Sequence, residues 1–78
     1  MVSINSLGVL YFKQGRYSEA ETFFMQALDI QQRQLGADHL EVATSLNNLA
    51  LLYMAWGRYS KAETFCRGAF HILERRLG

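Results

Sequence analysis

The sequence predicts an all-α fold, an α-solenoid of four helices in two antiparallel helical hairpins. Three observations predict it. The stretch from Leu7 to Phe23 returns from Leu49 to Phe65, so residue 7 answers to residue 49 at an offset of 42. A fixed period of this size marks a repeat architecture whose unit is a supersecondary element. Apolar residues recur at helical spacing throughout, and no segment alternates as a strand would. Both copies also carry the same punctuation, Gly15-Arg16-Tyr17-Ser18 and Gly57-Arg58-Tyr59-Ser60.

The first helix is predicted over Met1 to Gln14, with Ile4, Leu7, Leu10 and Tyr11 at helical spacing. Gly8 lies inside it, where a glycine costs about 1 kcal/mol against alanine and marks a close helix crossing. The second copy has Ala50 there, also small. Gly15 can stop the helix in the left-handed conformation. Ser18 with Glu21 reads as a capping box, which opens a second helix over Ser18 to Leu35. Its expected buried stripe is Ala20, Phe23, Phe24, Ala27, Leu28 and Ile30. Gly36 closes it. Asp38 with Glu41 reads as another capping box for a third helix through Val42, Leu46, Leu49, Leu52 and Tyr53 to Trp56. The fourth spans Ser60 to Leu77, apolar at Ala62, Phe65, Cys66, Ala69, Phe70, Ile72 and Leu73. The two repeats are expected at 1–36 and 37–78, together one domain.

Composition narrows the function. Seventy-eight residues make one small domain, and 50% hydrophobic against 19% charged residues is too apolar for disorder. The net charge of +1 offers no broad field for nucleic acid or an anionic membrane. Arg67, Arg75 and Arg76 read as cations suited to a helix C-terminal dipole. The longest apolar run, Leu49 to Trp56, is too short to span a bilayer, which takes about 20 residues. The single Cys66 allows no internal disulfide, which with no leader pattern points to the cytoplasm.

Nothing in the chain points to an enzyme, a metal or another cofactor. His39 has only Asp38 and Glu41 nearby, too few ligands for a metal, and reads as part of a helix junction. His71 stands where the first copy has Asp29 and is expected exposed. Cys66 stands where the first copy has Phe24 and is expected to be a small buried apolar residue. Trp56, opposite Gln14 of the first copy, is either a packing residue against Tyr59 or a neighbouring helix, or a contact hot spot.

The spacing of these residues resembles the tetratricopeptide repeat over the whole chain. The first copy supplies Ile4, Leu7, Gly8, Tyr11, Ala20, Phe24 and Ala27, the second Leu46, Leu49, Ala50, Tyr53, Ala62, Cys66 and Ala69. The usual proline is replaced by Gln32 and Glu74, and the period exceeds the usual length of about 34, so both helices should be longer. Leu35-Gly36-Ala37-Asp38-His39 followed by Val42-Ala43 and Leu46-Asn47-Asn48-Leu49-Ala50 is similar to the kinesin light chain type of this repeat.

The resemblance implies a module that holds a protein or peptide on the concave side lined by the first helix of each hairpin. The implied residues are Val2, Ser6, Val9 and Lys13, flanked by Asn5 and Phe12, and Thr44, Asn48, Leu51 and Ala55, flanked by Asn47 and Met54. Asn48 matches the family's groove asparagine, which holds an extended backbone. Alternatively, Asn47 and Asn48 bond only between neighbouring helices. The apolar members favour an apolar or mixed peptide, or else pack against adjacent helices. Lys13 stands opposite Ala55, so a multi-cation clamp for a C-terminal carboxylate is not expected.

Two hairpins are fewer than the roughly three repeats that make an array stable alone. The chain therefore reads as a piece of a longer array, or as one that associates with itself. Phe65, Phe70, Ile72, Leu73 and Leu77 on the fourth helix are the candidate self-association surface, by hairpin stacking or a swap hinged near Gly36. A structural self-assembly unit is thus the competing function. Contact with RNA by the helical repeats is a distant third, disfavoured by the near-neutral charge.

Overall fold

The computed structural model describes residues 4–77, all of them helix or short turn. Val2, expected on the binding side, lies outside them. The elements are α1 (Ile4–Lys13), α2 (Tyr17–Leu35), α3 (Leu40–Ala55) and α4 (Tyr59–Leu77). α1 packs on α2, α3 on α4, and α2 on α3, which makes two hairpins joined side by side. The Cα atoms fill a slab of 36 × 31 × 15 Å. That thickness suits two layers of helices about 8–10 Å apart.

The turns inside the hairpins are copies. The Gly15 N–H donates to the Phe12 carbonyl at 3.0 Å and the Arg16 N–H to the Tyr11 carbonyl at 2.9 Å. Gly57 to Met54 at 3.2 Å and Arg58 to Tyr53 at 2.8 Å repeat the pattern. This pair of bonds closes a helix on a left-handed residue, and Gly15 and Gly57 have φ of +77° and +81°.

The same turns overturn one expectation. The Arg16 carbonyl already accepts from the Ala20 N–H at 3.0 Å, so α2 starts at Tyr17 with Arg16 as its N-cap. Ser18 is therefore a helical residue and no side chain caps α2. In place of a capping box, the Arg16 guanidinium bonds Glu19, with Nε to Oε1 at 2.8 Å and Nη2 to Oε2 at 2.6 Å. The second capping box fails too. His39 is the N-cap of α3, and its Nδ1 accepts from the Glu41 N–H at 3.1 Å. Asp38 instead faces Arg75, with Nη1 to Oδ2 at 3.5 Å, and its carbonyl accepts from Arg76 Nε at 2.8 Å.

α3 is the centre of the core. It buries Val42, Ala43, Ser45, Leu49, Ala50, Leu52 and Tyr53, because α2 lies on one flank and α4 on another. A helix covered on two sides needs apolar residues around most of its girth. α1, covered on one side, buries only Gly8 among its described residues. That glycine is required: a Cβ there would lie 2.7 Å from both Cδ1 and Cε1 of Phe24.

The expected stripes are only partly buried. Ala20, Phe24, Ala27 and Leu28 of α2 are in the core. Phe23 is half-buried and stacks on Tyr11, with ring centroids 5.4 Å apart. Ile30 is exposed. Its counterpart Ile72 lies under α3 and is buried.

Candidate functional site

α1 and α3 run along the same side of the slab, tied by Asn48 Nδ2, which donates to Asn5 Oδ1 at 3.3 Å. Between them lies a groove of about 200 Å³ lined by Val9, Phe12 and Lys13 of α1, Asn48 and Leu51 of α3, and Phe24 of α2. Its depth follows from Gly8, whose missing side chain lets the Phe24 ring rise against α1 and form the floor. The walls are apolar, with an amide and an ammonium as the polar groups. Asn48 is half-buried, and the bond to Asn5 uses one of its two amide hydrogens. Leu51 is 51% exposed, so it presents apolar surface rather than filling the core.

The expected binding residues divide among several places. Val9, Phe12, Lys13, Asn48 and Leu51 come together in this groove. Asn5 and Thr44 line a separate hollow of about 510 Å³, with Ile4, Ala27, Ile30, Gln31 and Glu41. Residues of α1, α2 and α3 all contribute to its lining. The Thr44 hydroxyl donates to its own helix at the Leu40 carbonyl, 3.3 Å away. Asn47 faces a shallow hollow between α3 and α4 with Ala43, Ala69 and Leu73. Met54 lies on a fourth hollow beside Tyr59, Ala62 and Cys66. Ser6 and Ala55 are exposed but line none of these hollows.

The candidate self-association residues also divide. Phe70, Leu73 and Leu77 are exposed. Ile72 is buried inside the second hairpin, and Phe65 is half-buried with its ring 5.4 Å from Tyr53. Both pack toward α3, Ile72 fully and Phe65 in part. Cys66, expected buried, is exposed. Phe24, its counterpart, is covered because α3 follows α2, whereas no described helix follows α4.

Two polar contacts at the α2–α3 seam were not anticipated from the sequence. The Tyr53 hydroxyl donates to Glu21 Oε2 at 2.5 Å, and the buried Ser45 hydroxyl donates to Gln31 Oε1. Burial, then the bond to Glu21 and its charge, hold the Tyr53 phenol well above the ordinary tyrosine range. Trp56 seals the end of the seam, stacked on Tyr53 at 6.3 Å and tilted against Tyr17 at 6.1 Å. A tyrosine and glutamate repeated at one spacing, Tyr11 with Glu21 and Tyr53 with Glu63, was a visible signal for the first of these.

Among the described residues no group of three or more His, Cys, Asp or Glu could hold a metal ion. None of their helices is long and apolar enough to cross a membrane. A family model described as "Tetratricopeptide repeat" matches residues 1–74. No curated protein matches the chain.

Proposed function

The chain belongs to the tetratricopeptide repeat family, and from that premise we propose that it is an adaptor or scaffold module holding an extended peptide in the α1–α3 groove. Repeats of this family generally mediate protein–protein interaction and are typically non-enzymatic scaffold modules. We assign the repeats to 1–36 and 37–78, of the kinesin light chain type, working in a reducing compartment such as the cytoplasm.

The groove itself carries this reading. Phe24, Val9, Phe12 and Leu51 offer apolar contact, and Asn48 offers an amide that can pair with a peptide backbone. The lone Lys13 adds one positive charge at the rim. The favoured ligand is a short segment with alternating apolar residues and at most one acidic group.

Selection from a displayed random-peptide library, followed by calorimetric titration, tests it. Leu51→Glu should weaken a selected peptide at least about tenfold, since burying a leucine is worth about 1.5–3 kcal/mol. Asn48→Ala should weaken it by a smaller factor. Selected peptides that bind both variants as tightly as the parent chain would overturn the assignment of the groove.

A further inference from the structure

Among the described residues one interface is mated internally, and both of its halves recur with exposed residues, one on α1 and one on α4. α2 turns Tyr17, Glu21, Phe24, Leu28 and Gln31 toward α3, in a spacing of four, three, four and three that keeps them on one face. The contacts that fix this face are Tyr17 to Trp56, Glu21 to Tyr53 and Gln31 to Ser45. The offset of 42 carries the set to Tyr59, Glu63, Cys66, Phe70 and Leu73 of α4, and every one of those is exposed. Leu28 is 6% exposed and its counterpart Phe70 62%. The opposite half behaves alike: Leu52 of α3 is fully buried, and its counterpart Leu10 of α1 is 50% exposed.

We propose that a second copy of this chain docks head to tail on the outer face of α4, its α1 lying there as α3 lies on α2. The contact continues the internal seam, so its pairing is specified. Tyr11 of one copy meets Glu63 of the other, as Tyr53 meets Glu21 within the chain. Arg16, 4.8 Å from the Tyr11 ring and paired with Glu19, is brought near Glu63, which is paired with Arg67. Leu10 meets the Phe70 stripe. The seam is less sealed than the internal one, because Gln14 stands where Trp56 does. The two faces differ, so the contact is heterologous, and each added copy leaves one α1 edge and one α4 face open for the next.

Sedimentation velocity of the full chain over a range of concentrations tests this. The expected result is a sedimentation coefficient that climbs with concentration past the dimer. Phe70→Glu and Leu10→Glu should each weaken association more than about tenfold, since each puts a charge into an apolar seam. An equimolar mixture of the two variants should form a 1:1 dimer and nothing larger, because each retains one intact face. Both side chains are exposed, so helicity by circular dichroism should be unchanged. Leu73→Glu, at the last position of the same stripe, replaces Phe70→Glu if that variant loses helix. As a second readout, alkylation of Cys66 should slow as copies associate.

A wild-type monomer at every concentration would overturn the proposal. So would association that survives Leu10→Glu, the mark of α4 pairing with α4, or Cys66 labelling that ignores concentration. The peptide groove opens elsewhere, so Leu51→Glu should leave association intact, which separates failure here from failure of the binding assignment.

Discussion

Gly8→Ala tests how the first hairpin is packed. The new methyl carbon would sit 2.7 Å from two ring carbons of Phe24. Ordinary carbon contacts fall at about 3.5–4.0 Å, so the ring must retreat by roughly an ångström. Phe24 is 2% exposed, and overpacking a filled core costs about 1–3 kcal/mol. Alanine in a helix recovers about 1 kcal/mol relative to glycine. The net expectation is a loss of about 1 kcal/mol, or about 4–8 °C in Tm for a domain of this size. At the equivalent repeat positions the second hairpin carries Ala50 and Cys66 in place of Gly8 and Phe24. In a Phe24→Cys background the clash is gone and only the helix gain remains, so Gly8→Ala should stabilise there by up to about 1 kcal/mol. Urea denaturation of all four proteins gives the coupling. It should be run at one protein concentration, with an osmolyte in every sample to keep the weakest variant folded. If Gly8→Ala has the same sign and size in both backgrounds, the contact does not govern the hairpin.

Three further outcomes are expected. Tyr53 keeps its proton in the folded state to higher pH than in the unfolded chain, so the folded state binds more protons above the unfolded phenol value of about 10. Stability should therefore fall as pH rises past that value, and Tyr53→Phe should flatten the fall in denaturation curves taken across alkaline pH. His39→Ala should cost about 1 kcal/mol by removing the acceptor for the Glu41 N–H, and His39→Asp, which restores one, should recover most of it in the same assay. Gly57→Ala should cost about 1–2 kcal/mol from backbone strain alone, since φ is +81° and nothing lies within 4 Å of the added carbon; thermal unfolding reads it.

What the sequence made legible was periodic. The offset between copies, the apolar spacing and the glycines that must turn left located four helices to within a few residues, because each depends on neighbours close in the chain. The Asp38 capping box was misread because His39 is the N-cap of α3, and the Ser18 one because Arg16 serves two helices. Its N–H closes α1 and its carbonyl opens α2, so the reversal is tighter than a serine cap allows. Exposure was the harder quantity. Cys66, Ile30, Phe65 and Ile72 occupy repeat positions whose burial is decided by which helix lies alongside, and spacing within one helix says nothing about that. The groove was legible at Val9, Phe12, Lys13, Asn48 and Leu51. Its floor was not, because Phe24 reaches it only through the gap at Gly8.

Trp56 is the sole tryptophan, wedged between the rings of Tyr53 and Tyr17 with Arg58 4.3 Å above its face. It belongs to one hairpin and touches the other. Its fluorescence therefore reports whether the two hairpins stay together, while far-ultraviolet ellipticity reports whether each remains coiled. An emission shift that precedes the loss of ellipticity on heating would reveal hairpins parting as intact units, with no label added to the protein.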